Sequence, residues 1–428
     1  MTYLSVVLVY LFALIAIGIV KSRKIHTQSD FALAGRALTP WVLVGTMLAS
    51  WIGTGSILGN AGKTYETGMA ALMLPIGSIL GIILLTRIAG KVRSYEKYTV
   101  PEIIGDRYGP VARNLSVFAL VMAYMVIVSY QYNAGGAVLY TILADNTGTS
   151  IINIELATII AAVFIIAYTM LAGLLSVAYT DAANSIIMTL ALIISLPILW
   201  IKAGSWSGME TAFAAMNKSQ HMQFGGVYSA MDIINFCLPP FLLVIGDANM
   251  YQRFSASKDV QSARYSTTIL VFAVLFIELL IIVSAWVSSS MIPEAEVGKH
   301  VLIYAAHQFL PTFLGAIMLT TIVGIIISTA DSFLLVPANT LIRDIYLNYI
   351  NPQASEKNIV RLSRLLVLLL GIIAYIVSIG FSRSAGFFER ALYAYTIYGA
   401  AITPTLVAAL FWRGATKEGA VASIICGT

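Results

Sequence analysis

Charge is scarce in this sequence. Of its 428 residues only 11% are Asp, Glu, Lys or Arg, while 59% are hydrophobic and the mean hydropathy is +0.87; an average water-soluble domain is about one quarter charged. A soluble enzyme is excluded. Cysteine is nearly absent too: Cys237 and Cys426 are too few for a disulfide framework or a thiolate cluster, and the four histidines show no ligand spacing. The sequence has neither a Gly-rich phosphate loop followed by Lys nor a nucleophile and base pair, so no enzyme activity and no organic cofactor are expected. Basic runs are also missing. The longest cluster is Lys21-Ser22-Arg23-Lys24, so the net charge of +5 does not point to nucleic acid as a partner.

What the sequence has is apolar length. About 20 apolar residues cross a bilayer as a helix, and runs of that kind occur near 3–20, 41–62, 68–90, 115–142, 151–172, 176–201, 231–252, 266–290, 309–345, 360–381 and 391–412, with the start of a twelfth at 418–428. We number the first eleven as spans 1 to 11. Span 1 has no basic residue before its apolar run, so it reads as an uncleaved helix rather than a signal peptide. Its positive charges follow it, which places the N-terminus outside. With that orientation only Lys63, Lys202, Lys218, Lys299, Arg383 and Arg390 face outward, and the other nineteen of the 25 Lys and Arg residues face the cytoplasm. This asymmetry is the positive-inside rule, and the cell membrane is the expected location. The outer segment 202–230 is polar and reads as a cap or short surface helix. The chain ends within the apolar stretch Gly419–Thr428, which reads as the beginning of a truncated further helix over 413–428.

Helix-breaking sequence at membrane depth is tolerated only where it lines a cavity or is buried in protein. Span 2 carries Gly53, Thr54, Gly55, Ser56 and Gly59 in its middle; span 7 carries Pro239-Pro240 and then Gly246-Asp247-Ala248-Asn249. Each opens a block of five spans, and an odd number inverts the second block relative to the first. The expected organisation is therefore an extra N-terminal helix at 1–22, a first five-helix repeat at 41–201 and an inverted second repeat at 229–412. Paired breaks in corresponding helices of inverted halves point to a transport site at the midplane. Glycines that serve close helix packing are the alternative.

Acids within spans are expensive, an Asp at the helix centre costing about 2.5–3.5 kcal/mol on the insertion scale. Asp181, Asp247, Glu278 and Asp331 are the acids singled out on this ground. Asp331 follows Ser328-Thr329-Ala330 and precedes Ser332, a set of oxygen donors suited to a hard monovalent cation, with sodium the natural candidate. Those hydroxyls could instead bond back to helix carbonyls four residues earlier. Asp181 is either an ion ligand or an acid in the first turn of span 6 complementing the helix dipole. Glu278, deep in span 8, is a proton-linked acid, a pore-facing acid or a neutral group between helices, and the sequence assigns it to none of these.

These residues resemble the sodium:solute symporter family, which includes bacterial proline, sialic acid and galactose symporters and animal choline and glucose transporters. The resemblance rests on Ala49-Ser-Trp-Ile52 with Gly59, on Gly173-Leu-Leu-Ser-Val-Ala-Tyr-Thr-Asp181, on Tyr251-Gln-Arg253, and on Ser328-Thr-Ala-Asp-Ser332 with Arg343-Asp-Ile-Tyr346. It implies an all-α membrane protein with the leucine-transporter-like inverted five-plus-five repeat and an extra N-terminal helix. It also implies a sodium site formed by backbone carbonyls of Ala49, Ile52 and Ile325 with the hydroxyls of Ser328 and Thr329. A second sodium that the family sometimes carries matches Asp181, Asp331 and Ser332. The residue before Gly173 is Ala172 where family members have a second Gly.

Substrate is expected against the two breaks, at Trp51, Thr54 and Ser56 on one side and Asp247 and Asn249 on the other, with Gln131 and Tyr395 or Tyr398 as walls. Trp51 matches a Trp of the choline-transporter branch, and an aromatic face holds a cation. With Asp247 close by, an amine or amino-acid-like solute is favoured, sugars and carboxylates remaining open. The expected activity is sodium-coupled symport of a small molecule by alternating access. The other readings are a sensor or input domain of a larger signalling protein and a channel, which the broken inverted helices disfavour.

Overall fold

A computed structural model describes residues 2–22, 25–144, 150–293, 298, 300–381 and 386–428. Arg23, Lys24, Lys299 and Arg383, which enter the charge count, lie outside the described residues. Within the described residues the chain is helical, with only two isolated bridges, Leu38 to Ser257 and Ala144 to Ser150. Among the described residues, eight helices are long and apolar enough to cross a membrane, nine counting the bent pair Pro40–Trp51 and Gly55–Met73.

That bent pair is span 2. The 49-residue helix Ile154–Lys202 holds both span 5 and span 6, bent at Gly173, whose φ of 56° lies in the left-handed region. A Cβ there would also come within 2.8 Å of Ile25 and 3.0 Å of Phe31, so glycine both makes the bend and lets the segment after span 1 pack against it. Ile76–Ser94 supplies span 3, with Arg87, Lys91 and Arg93 in its second half. It starts later than expected, because residues 68–73 form a tight turn: Gly68 has φ 63° and Pro75 caps the next helix. The remaining spans are Thr2–Ser22, Pro110–Ile142, Ala230–Ala256, Val260–Ser289, Thr312–Ile350, Glu356–Phe381 and Phe387–Phe411. A short helix, Lys417–Gly427, follows.

Hydropathy does not reveal which helices are inside. Span 1 is the more apolar of spans 1 and 9, yet little of span 1 is buried and most of span 9 is. Span 9 packs against the Ile154–Lys202 helix and span 4, and its hydroxyls and carboxylate are consequently enclosed by protein. Exposed Val9, Phe12 and Val20 on span 1 form the kind of face that lipid covers. The outer segment 202–230 forms the surface helix Ser205–Ala215 and a short turn at Ser219–Met222. Phe213 and His221 are buried beneath it, and the Trp286 indole donates to the His221 carbonyl at 2.9 Å.

Candidate functional site

Span 2 stops being helical at Ile52 (φ −75°, ψ 91°), and its second half leaves at 51°. At such an end the last carbonyls lose their helical donors. The Ala49 carbonyl receives the Thr329 hydroxyl of span 9 at 3.3 Å. Gly53 permits that approach, because an added Cβ would lie 2.9 Å from both Thr329 Oγ1 and Cγ2. Ile52 and Ile325 are buried beside this contact on their respective spans. Ser328 donates a short hydrogen bond to Asp181, which also accepts from Thr46 of span 2. Of Ser328, Thr329 and Ser332, only Ser332 bonds back along its own helix, to the Ser328 carbonyl at 3.0 Å, so back-bonding does not account for the cluster.

Asp181 is fully buried eight residues beyond the Gly173 bend, and it is held by side chains instead of capping a helix start. It accepts from Thr46 at 2.6 Å and from Ser328, and it faces Arg253 at 3.6 Å. Arg253, counted on the cytoplasmic side from sequence, is wholly buried. Its guanidinium donates to Thr46 Oγ1 at 3.1 Å, to the Asn249 carbonyl at 3.3 Å and to Ser332 Oγ at 2.6 Å. Asp181 and Ser332, two of the three candidate ligands for a second sodium, are thus joined through Arg253. The third, Asp331, accepts a short hydrogen bond from Thr169 of span 5.

A cavity lies beside the span 2 break, lined by Trp51, Ser56, Asn60, Glu278 and Tyr395 together with Phe236 and Phe388. The rings of Trp51 and Tyr395 run nearly parallel, 6.4 Å between centres. Three of the eight expected substrate residues therefore line it: Trp51, Ser56 and Tyr395. Thr54 and Gln131 pair with each other by a short hydrogen bond at the break, leaving Gln131 Nε2 buried without a partner. Asp247, Asn249 and Tyr398 do not line the cavity. Asp247 caps Ala248–Ala256, accepting from the Asn249 amide at 3.1 Å and from the Tyr124 hydroxyl at 2.5 Å. Tyr398 braces the same break, donating to the Gly246 carbonyl at 2.9 Å and accepting from the Ala248 amide at 3.2 Å. A capping acid and a substrate acid look alike in sequence, since both follow a helix break.

Reading by sequence missed Asn60, Thr46, Tyr124 and Arg253 as partners. Arg253 alone carried a signal, being a charge at the very edge of an apolar run.

The model of the sodium:solute symporter family matches residues 31–427. This chain belongs to that family. It is similar to a sodium/proline symporter of Haemophilus influenzae, 26% identical over 453 residues that cover 98% of this chain and 85% of that protein. A sodium/glucose cotransporter of Vibrio parahaemolyticus is 24% identical, covering 97% of this chain and 82% of its own length. Among solved structures, a substrate-bound, outward-open sodium-coupled sialic acid symporter superposes with a TM-score of 0.84 at 15% identity, covering 99% of this chain and 90% of that one. A nucleobase-cation-symport-1 family transporter in a closed conformation superposes at 0.57 and 12% identity, over 93% and 92%. The sodium:solute symporter is thus an all-α, multi-pass membrane protein of the leucine-transporter-like fold. It is a sodium-coupled solute symporter and not an enzyme.

Proposed function

We propose that this symporter imports a small organic solute bearing an amino or quaternary ammonium group across the cell membrane, with its N-terminus outside and residues 41–201 and 229–412 as inverted halves. The Thr329 contact with the Ala49 carbonyl at the end of broken span 2 carries the coupling. A sodium ion held by Ala49, Ile52, Ile325, Ser328 and Thr329 would bind both halves at once and so favour one arrangement of them, the outward-open state. Ser328 donates its hydroxyl proton to Asp181, which leaves its oxygen lone pairs to coordinate the ion. A second ion at Asp181, Asp331 and Ser332 would compete with Arg253 for the Asp181 carboxylate. Substrate then permits occlusion, and the ion leaves inward, each sodium charge releasing about 2.3 kcal/mol per 100 mV.

The paired aromatic faces of Trp51 and Tyr395 support a cationic solute, since ring faces attract ammonium groups. Proline, which names several relatives, carries such an amine. Uptake into vesicles under an imposed sodium gradient tests this reading, using amines, amino acids, sugars and carboxylates as solutes and a potassium gradient as the control. Sodium-driven uptake of amines, weakened in Trp51→Ala, is the expected result; exclusive uptake of a neutral sugar would contradict it.

A further inference from the structure

Glu278 of span 8 lines the Trp51–Tyr395 cavity and is 2% exposed. Both carboxylate oxygens accept hydrogen bonds from span 2: Oε1 from the Ser56 hydroxyl at 2.6 Å and Oε2 from the Asn60 amide at 3.1 Å. Two donors aimed at the two oxygens suit a carboxylate, which only accepts, better than a carboxylic acid, which must also donate. Among the described residues, no Lys or Arg forms a salt bridge with it. A buried charge needs a partner of opposite sign, and this one faces a cavity walled by Trp51, Tyr395, Phe236 and Phe388. Aromatic walls around a carboxylate suit an organic ammonium, whose charge pairs with the acid and whose alkyl groups meet the rings.

We infer that Glu278 is the specificity-determining residue of the solute site, pairing with the ammonium group of an amine or amino-acid substrate. The inference rests on the proposed import of an amine-bearing solute and moves its recognition from Asp247, which caps a helix, to span 8. Lone pairs left on both Glu278 oxygens accept the N–H groups of a primary or secondary ammonium, and a quaternary ammonium meets the same charge through its methyl groups.

The test compares the purified wild type with Glu278→Gln and Glu278→Asp in sodium, reading thermal stabilisation by pyrrolidine, L-proline, choline and cyclopentanecarboxylate. Pyrrolidine is proline without its carboxylate, and cyclopentanecarboxylate is proline without its nitrogen. At least one amine is expected to stabilise the wild type, with its half-maximal concentration raised about tenfold or more in Glu278→Gln, as for loss of a charged hydrogen bond. Glu278→Asp should recover part of that loss. Stabilisation by sodium alone should be unchanged in Glu278→Gln, which also reports that the variant is folded. If no amine distinguishes wild type from Glu278→Gln, the inference is overturned. Loss of the sodium response in Glu278→Gln, with Glu278→Asp retaining it, would overturn it as well by making Glu278 an ion ligand, while leaving symport intact. Absence of any sodium effect in the wild type would instead count against the proposed coupling site, and amine discrimination by Glu278 would still stand or fall on its own readout.

Discussion

Arg253 and Asp181 face each other at 3.6 Å, both fully buried, where the second half of span 7 meets span 6. The guanidinium also ties Thr46 of span 2 to Ser332 of span 9, so one side chain joins four spans close to the proposed ion ligands. Removing one member of a buried pair strands the other charge, at a cost of about 3–5 kcal/mol. Arg253→Met and Asp181→Asn should each lower stability, Arg253→Met by about that amount. The double variant should be less destabilised than the sum of the two, as read by thermal unfolding in detergent. Additive losses would mean that the two residues act independently.

Gly53 offers a test of the contact between spans 2 and 9. A methyl group there would press on Thr329 at 2.9 Å, and overpacking of this kind costs about 1–3 kcal/mol. Gly53→Ala should lower thermal stability and weaken sodium binding together. Gly225, whose Cβ would meet nothing within 4 Å, supplies the control, and Gly225→Ala should leave both unchanged.

Asp247 separates a capping role from a substrate role. Asn is as good a helix cap as Asp and can still accept from Tyr124, so Asp247→Asn should keep substrate affinity within a factor of about three. Asp247→Ala loses the cap and leaves the Tyr124 hydroxyl unpaired, and it should destabilise by about 1–3 kcal/mol. A large loss of affinity in Asp247→Asn without loss of stability would return this residue to the solute site.

His221 gives the outer cap a pH dependence. Burial, reinforced by nearby Lys218, holds its imidazole down from 6.5 to about 4. The folded state therefore keeps the ring neutral while the unfolded chain takes up a proton, so stability is full above about 6.5 and declines as pH falls toward 4. Thermal melts across that window should show a smaller decline in His221→Gln than in the wild type.

The spans were legible because an uncharged apolar run of bilayer length is seldom anything but a membrane helix, and the breaks in spans 2 and 7 because Gly and Pro are costly there. Partners across the bundle were not. Glu278 meets Ser56 across 222 positions and Asp181 meets Ser328 across 147, and no local pattern marks such pairs. The same reason hid Arg253, which charge counting placed on the cytoplasmic side and the structure encloses. Asp247 was visible as an intramembrane acid, but its capping role depends on the backbone angle at the break, φ −60° and ψ 111°, which composition does not set.

The coupling site is tested most directly by titrating sodium against the thermal stability of the Ser328→Ala, Thr329→Ala double variant, without solute, beside the wild type and with potassium as control. The account predicts that sodium stabilises the wild type, that potassium does not, and that the double variant loses most of the sodium response while remaining folded. A double variant that responds to sodium with wild-type affinity would contradict it.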